Sequence, residues 1–200
     1  RALPLGIRRG RATEFVSAEH FTEEVRRQLI GRYGEAGLYE GGLSVRTTLN
    51  PHLQDIAQRV LRKGLITYDR RHGWRGALGK MEPGYDWAEE LAKVPKPGSL
   101  GKWKMGVVLT LQEDGVEVGL TTGAIGFIPM TELTWARPWL KGQHVGKKPK
   151  WPRDVLSVGE IIPVEELPGE KRGIYGLRQI PEIQGALVAM DPHTGCVLAM

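Results

Sequence analysis

The sequence GALVAMDPHTGCVLAM at residues 185–200 contains two apolar runs on either side of a turn. The runs, 186–190 and 196–200, have the length of short strands. Between them, the turn at 191–195 has Pro192 at an early corner and Gly195 where a positive φ is needed. A hairpin this apolar needs a sheet and helices to cover it. We therefore expect a larger domain to begin here and to continue in a longer protein.

The N-terminal part carries helix and strand patterns. Apolar side chains recur every fourth position from Phe21 to Tyr33, which predicts a helix over 20–33 that ends at Gly34. Residues 43–49 alternate apolar and polar side chains, which predicts a half-buried strand paired with the hairpin.

A second helix is predicted over 51–70. Asn50-Pro51 combines an N-cap residue with proline at the first helical position. Leu53, Ile56, Val60 and the apolar positions between them follow the spacing of an amphipathic helix.

Residues 103–180 have a different pattern, of short strands joined by turns. A stretch rich in glycine and proline, 73–102, leads into them, with a short helix predicted near 86–93. The predicted strands are 104–112, 115–122, 124–130, 160–167 and 173–180, with a long connection over 131–159. The sequence therefore predicts an α+β fragment in which a five-stranded OB-type β-barrel follows a helix–strand–helix segment.

Composition limits the function classes. The chain is 40% hydrophobic and 26% charged, has no apolar run near the length of a membrane span, and carries a formal net charge of +5. Its one cysteine, Cys196, excludes an internal disulfide and is expected to be a packed thiol. The basic segment Arg8-Arg9-Gly10-Arg11 could contact phosphate or an anionic membrane, but a solvated linker is the favoured interpretation.

Catalytic and metal-binding patterns are weak. Ser99 and Lys102 match the Ser-x-x-Lys motif of penicillin-interacting enzymes, but Gly101 would interrupt the helix that the lysine requires. Neither Ser-x-Asn nor Lys-Thr-Gly occurs, since Asn50 is the only asparagine. The five histidines are scattered and lack cysteine partners at ligand spacing. The sequence therefore indicates no catalytic residue, no metal site and no cofactor.

The long connection is the best candidate for a binding surface. It brings together aromatic and cationic side chains that could stack on and attract a polymer, namely Trp135, Trp139, Lys147, Lys148, Lys150 and Trp151. The alternative is that the tryptophans cap the barrel core and hold the loop in place, with at least one of Trp139 and Trp151 buried.

Three segments together resemble the class A penicillin-binding proteins, the bifunctional peptidoglycan synthases. Residues 38–61, LYEGGLSVRTTLNPHLQDIAQRVL, resemble the family's Gly-Gly, strand, Thr-Thr-Leu-Asp/Asn-Pro and helix segment, with Asn50 where aspartate is commoner. Residues 185–200 resemble the first hairpin of the transpeptidase domain, and 20–33 resemble the helix that closes the linker. Residues 77–180 then correspond to the OB-like insert of some members.

This resemblance implies a division into three parts. Residues 1–76 form the interdomain linker with the first strand and helix of the transpeptidase region, 77–180 the OB-like accessory domain, and 181–200 the first transpeptidase hairpin. Both catalytic sets and the membrane anchor would lie outside this chain. The parent would perform glycosyl transfer and D,D-transpeptidation at the periplasmic face of the cytoplasmic membrane. The implied partners are the rest of the synthase, peptidoglycan glycan strands or an envelope activator protein.

A second hypothesis is a cytoplasmic RNA-binding OB-domain protein. Residues 126–133 and 158–164 resemble the RNA-binding OB repeat of a ribosomal small-subunit protein. Residues 103–180, however, hold 10 Lys+Arg against 9 Asp+Glu, and affinity for phosphate needs a basic face. The charge balance therefore argues against nucleic acid.

Overall fold

The structure, a computed structural model, describes residues 18–142, 144–169 and 172–200, so the basic segment at 8–11 lies outside the described residues. The three helices are α1 (Glu19–Tyr39), α2 (Pro51–Arg71) and α3 (Trp87–Lys93). The strands are β1 (Gly79–Lys80), β2 (Lys104–Leu111), β3 (Gly115–Leu120), β4 (Ile125–Pro129), β5 (Trp139–Leu140), β6 (His144–Val145), β7 (Glu160–Glu166), β8 (Tyr175–Leu177), β9 (Ala189–Met190) and β10 (Val197–Ala199). Helices combined with antiparallel sheets confirm the α+β class. The chain divides into two compact units, Gly64–Gln184 and the rest of the described residues.

The first predicted helix is present and is interrupted at Gly34, where its end was predicted, although helical residues continue beyond that point. Helix α1 continues to Tyr39, and Gly34 interrupts it with φ of 70° and ψ of 172°. Because glycine adopts positive φ without steric cost, it kinks the helix here and helical geometry resumes beyond it.

The strand predicted over 43–49 is wrong. This segment has no regular secondary structure, and Leu43 and Val45 are exposed. Its end meets the hairpin through two hydrogen bonds, from the Thr48 hydroxyl to the Val197 carbonyl at 2.6 Å and from the Asn50 N–H to the Leu198 carbonyl at 2.8 Å. Alternating apolar and polar side chains form a strand only where a neighbouring strand supplies a continuous ladder of hydrogen bonds. The two hydrogen bonds found here do not make such a ladder.

The second predicted helix is confirmed as α2, with the predicted cap. The Asn50 Oδ1 accepts hydrogen bonds from the backbone N–H groups of His52 and Leu53 at 3.0 and 3.2 Å. These bonds satisfy two of the donors that a helix N-terminus leaves without intrahelical partners.

The terminal hairpin is also present, with shorter strands than predicted. Strands β9 and β10 pair antiparallel, and Gly195 has a φ of 70° in the turn. The Asp191 carboxylate accepts from the backbone N–H of His193 at 2.8 Å, which lowers the pKa of Asp191. The partly buried Cys196 is a free thiol.

The main sheet contains all five strands predicted between 104 and 180. Strand β7 pairs with β2, β2 with β3, and β3 with β4, all antiparallel. Strands β8 and β1 both pair with β7 on the edge opposite β2. A parallel bridge joins Phe127 of β4 to Ile174, and the Phe127 N–H donates to the Gly173 carbonyl at 2.8 Å. Strands β1, β5 and β6 were not predicted.

Two apolar clusters fill the unit Gly64–Gln184. The larger lies against β3, β4, β7 and β8 and has buried Trp74, Val118, Ile128, Leu133 and Leu177 among its members. The smaller cluster lies between α3 and β2. Its buried members include Leu91, Leu100, Trp103, Met105 and Val107. Side chains therefore occupy the interior of this unit, and ligand contacts are expected at its surface.

Candidate binding cleft

The predicted binding residues are divided by the structure into inward and outward sets. Trp135 is partly buried and packs against the larger apolar cluster. Trp139 and Trp151 are 46% and 44% exposed, so the expectation that at least one of them is buried is wrong. The lysines at 147, 148 and 150 are all exposed.

Trp135 belongs to the core rather than to a free surface. Its ring meets the buried Trp74 ring edge to face, with centroids 6.0 Å apart. The guanidinium of Arg70 lies 4.6 Å from the Trp135 ring centroid, within cation–π range. Burial lowers the pKa of Arg70. This tryptophan therefore supports the alternative in which the long connection is held to the core.

Trp151 is held at the surface by a short capping interaction. It precedes the 3-10 turn Pro152–Asp154, and the Asp154 carboxylate accepts hydrogen bonds from the backbone N–H groups of Lys150 and Trp151, each at 2.9 Å. These bonds lower the pKa of Asp154. The Arg153 guanidinium lies 5.5 Å from the Trp151 ring centroid. Trp151 is thus an ordered, outward aromatic side chain with basic neighbours.

Trp139 is placed by a backbone contact with the end of α2. Gly73 follows this helix with a φ of 94°, and a Cβ there would lie 2.7 Å from the Arg137 carbonyl oxygen. Residues 74 and 138 form a parallel bridge, in which the Trp74 N–H donates to the Arg137 carbonyl at 2.6 Å and the Trp139 N–H to the Trp74 carbonyl at 2.9 Å. Only glycine allows so close an approach at this φ, and the approach brings Trp139 beside the last turn of α2.

A cleft of about 460 Å³ opens where Trp139 meets α2. Three aromatic side chains line it, Tyr68, His72 and Trp139, together with the charged groups of Asp69, Arg75 and Glu182. This volume lies within the range typical of small-molecule sites.

Sequence reasoning found Trp139 but missed two aromatic residues at the C-terminal end of α2, Tyr68 on its last turn and His72 directly after it. Tyr68 and His72 are four positions apart, so they lie on the same side of the helix. Their rings are 4.4 Å apart at 31°. The sequence signal that could have identified Tyr68 and His72 is the occurrence of aromatic residues on the polar side of an amphipathic helix.

The His72 ring has a defined proton position. Its Nδ1 lies 2.9 Å from the Tyr68 carbonyl oxygen. Because a carbonyl only accepts, Nδ1 is the nitrogen that carries the proton in this contact, and Nε2 of the neutral ring is left as an acceptor.

One side of the cleft is formed by a buried ion pair. Arg75 donates to both carboxylate oxygens of Asp69, at 2.8 and 3.1 Å, and to the Ile180 carbonyl at 2.8 Å. The Gln179 amide donates to the Asp69 Oδ2 at 2.7 Å and accepts from the Arg75 backbone N–H at 2.8 Å. Glu182, whose side chain is 75% exposed, lies 3.0 Å from the Arg75 Nε. Both Asp69 oxygens are already engaged, so this carboxylate fixes the wall and is not free to act on a substrate.

A second cavity, of about 310 Å³, shares Arg75 and Glu182 with the cleft and is lined also by Ser99. Ser99 lies in the 3-10 turn Gly98–Leu100, after which Gly101 has a φ of 61°. Lys102 therefore does not follow Ser99 on one continuous helix, as the Ser-x-x-Lys arrangement requires.

Other site types find no support in the part of the chain that the structure describes. Three or more His, Cys, Asp or Glu side chains do not come together there in a way that could hold a metal ion. Within the same residues, no helix combines the length and apolar character needed to cross a lipid bilayer.

Comparisons with known proteins agree on one family. Residues 74–183 match the family model of the penicillin-binding protein OB-like domain. Over 98% of its length the chain is 37% identical to penicillin-binding protein 1A of Rickettsia prowazekii, and over 94% it is 31% identical to that of Pseudomonas aeruginosa. It covers only 23% and 22% of these two relatives. The crystal structure of penicillin-binding protein 1A from Haemophilus influenzae matches 95% of this chain and 26% of its own, with a TM-score of 0.65 and 26% identity.

Proposed function

The chain belongs to the class A penicillin-binding proteins, and from that premise we propose that residues 77–180 are a non-catalytic accessory domain of a peptidoglycan synthase. The observation that carries this proposal is the match of residues 74–183 to the OB-like domain of penicillin-binding proteins. Residues 1–76 and 181–200 would be the linker and the first elements of the transpeptidase region. The parent would catalyse glycosyl transfer and D,D-transpeptidation at the periplasmic face of the cytoplasmic membrane.

We further propose that the sheet closes into a five-stranded OB-type barrel. The pairing β4-β3-β2-β7-β8 is continuous, and the parallel bridge between Phe127 and Ile174 joins its two ends. Buried Val108, Val118 and Ile162 lie within these strands. A small barrel filled by side chains has no room for a ligand, so recognition would come from its surface and loops.

The proposal that this chain is non-catalytic predicts that it does not react with penicillin. Fluorescent β-lactam should leave it unlabelled, because Ser99 lacks a lysine on the same helix. It should not polymerise lipid-linked disaccharide either, because the resemblance puts the glycosyltransferase residues outside residues 1–200. A full-length class A synthase serves as the positive control in both assays. Covalent labelling that disappears in Ser99→Ala would overturn the proposal.

The partner surface of the accessory domain is proposed to lie on residues 131–157. This connection exposes Trp139 and Trp151, and residues 139–154 hold five Lys or Arg against the single acid Asp154. The rest of 103–180 holds 5 Lys+Arg against 8 Asp+Glu, so positive charge is concentrated in the connection. Such a surface would suit the anionic groups of peptidoglycan or an acidic face of an envelope activator protein.

Cosedimentation with purified peptidoglycan tests this surface. Exposed cation–anion contacts contribute roughly 0.5 kcal/mol each, so replacing Lys147, Lys148 and Lys150 with glutamine should weaken binding about tenfold. The matched control replaces the exposed lysines 80, 96 and 102 and changes the net charge equally. Equal losses in the two triple variants would show that total charge, and not this surface, determines binding. Absence of binding by the unmodified chain would favour a protein partner.

A further inference from the structure

We propose that the cleft between Trp139 and α2 binds a neutral hexopyranose unit of a glycan chain. The inference rests on the proposed function, because that function makes a glycan the partner. It assigns recognition of the sugar ring to this cleft and not to the lysines at 147, 148 and 150.

The aromatic walls suit the apolar face of a sugar ring. A pyranose presents C–H groups on its faces and hydroxyl groups around its edge. Trp139 and Tyr68 are 46% and 51% exposed, so their rings have apolar area left to cover. Covering that area with C–H groups removes it from water and gains dispersion contacts. Rigid aromatic side chains lose little conformational entropy when they bind.

The polar groups of the cleft suit hydroxyl donors. The exposed Glu182 carboxylate and the His72 Nε2 are acceptors, and the Tyr68 hydroxyl can donate or accept. Asp69, Arg75 and Glu182 together carry one more negative than positive charge, which disfavours a phosphate or another anion. This local excess is opposite in sign to that of residues 139–154, so the two surfaces select different chemistry.

The second cavity favours a chain over a single sugar. Arg75 and Glu182 line both spaces, so the cleft and the second cavity adjoin at these two residues. A glycan that places one ring against Trp139 would find a second concave space next to the first.

The walls of the cleft are fixed before a ligand arrives. The hydrogen bonds among Asp69, Arg75 and Gln179 hold one side, and the backbone bridge between Trp74 and Pro138 holds the strand that carries Trp139. A preformed site avoids the cost of ordering loops on binding.

The test is an NMR titration of the ¹⁵N-labelled 200-residue chain with chitotetraose, a soluble tetramer of N-acetylglucosamine. Saturable shifts are expected for the Trp139 indole and for the amides of Tyr68 and His72. Trp139→Ala should weaken binding at least about tenfold, as truncation of a central aromatic anchor does. Tyr85→Ala is the control, because Tyr85 is a fully exposed aromatic residue of the same unit that lies outside the cleft lining and outside residues 131–157; the affinity of this variant should stay unchanged.

The inference would be overturned by the absence of a saturable shift in the unmodified chain, or by equal weakening in Trp139→Ala and Tyr85→Ala. A cleft that binds cations through its rings and Glu182 would instead respond to n-butylamine and not to chitotetraose, which also contradicts it. Peptidoglycan cosedimentation separates this inference from the proposed function. If the chain cosediments with peptidoglycan but does not bind chitotetraose, the cleft is rejected and the lysine surface is retained. If it binds chitotetraose but does not cosediment, only the lysine surface is rejected.

Discussion

Replacing Asp69 with alanine is expected to lower the free energy of unfolding by roughly 3–5 kcal/mol, the usual cost of removing one partner of a buried ion pair. Asp69 is 2% exposed and accepts from Arg75 and Gln179. Without the carboxylate, the Arg75 guanidinium would stay largely buried and would keep the Ile180 carbonyl and the exposed Glu182 carboxylate as partners. Urea unfolding followed by tryptophan fluorescence measures the change, because all six tryptophans lie within Gly64–Gln184.

Glu166→Ala is the matched control for Asp69→Ala. Glu166 lies in the same unit as Asp69 and pairs with Lys104 at 3.2 Å, but both side chains of that pair are exposed. Exposed ion pairs contribute only about 0.2–1 kcal/mol. Similar losses in the two variants would mean that the Asp69 network contributes no more than an ordinary surface pair.

Local patterns were sufficient for α2 and for the five strands of the main sheet. The helical spacing after Asn50 predicted α2, and the short segments separated by turns between 104 and 180 predicted the strands of the main sheet. The alternation at 43–49 failed, because no strand among the described residues pairs with this segment along a continuous ladder. The difference lies in the neighbouring segments, which the pattern of one segment does not report.

The candidate cleft could be predicted only in part for a related reason. Trp139 was identified because it lies among lysines and other tryptophans in one loop. Tyr68 and His72 are about seventy positions earlier in the sequence, and their meeting with Trp139 depends on the backbone bridge that Gly73 permits. The predicted helix over 51–70 included Tyr68 but not His72, which follows the last residue of α2, and the spacing gave no information about what the polar side of that helix faces.

The tryptophans also show why residue type alone did not separate core from surface. Trp74, whose sequence context indicated no distinct role, is 7% exposed and packs in the larger apolar cluster. Trp139 and Trp151 follow polar or proline-rich stretches and remain exposed. Because Trp74 is buried and Trp151 is exposed, their replacement by alanine is expected to change the free energy of unfolding by very different amounts.

Trp74→Ala should destabilise the unit Gly64–Gln184 by roughly 3–5 kcal/mol, because truncating a buried aromatic residue removes apolar burial and leaves a cavity. Loss of the edge-to-face contact with Trp135 adds to this cost. Trp151→Ala should change stability by no more than about 0.5 kcal/mol, as surface substitutions do. Urea midpoints of the two variants give the comparison, and Trp74→Phe should fall between them. If Trp151→Ala proved as destabilising as Trp74→Ala, Trp151 would be a core residue, and the partner surface proposed on residues 131–157 would lose one of its two exposed tryptophans.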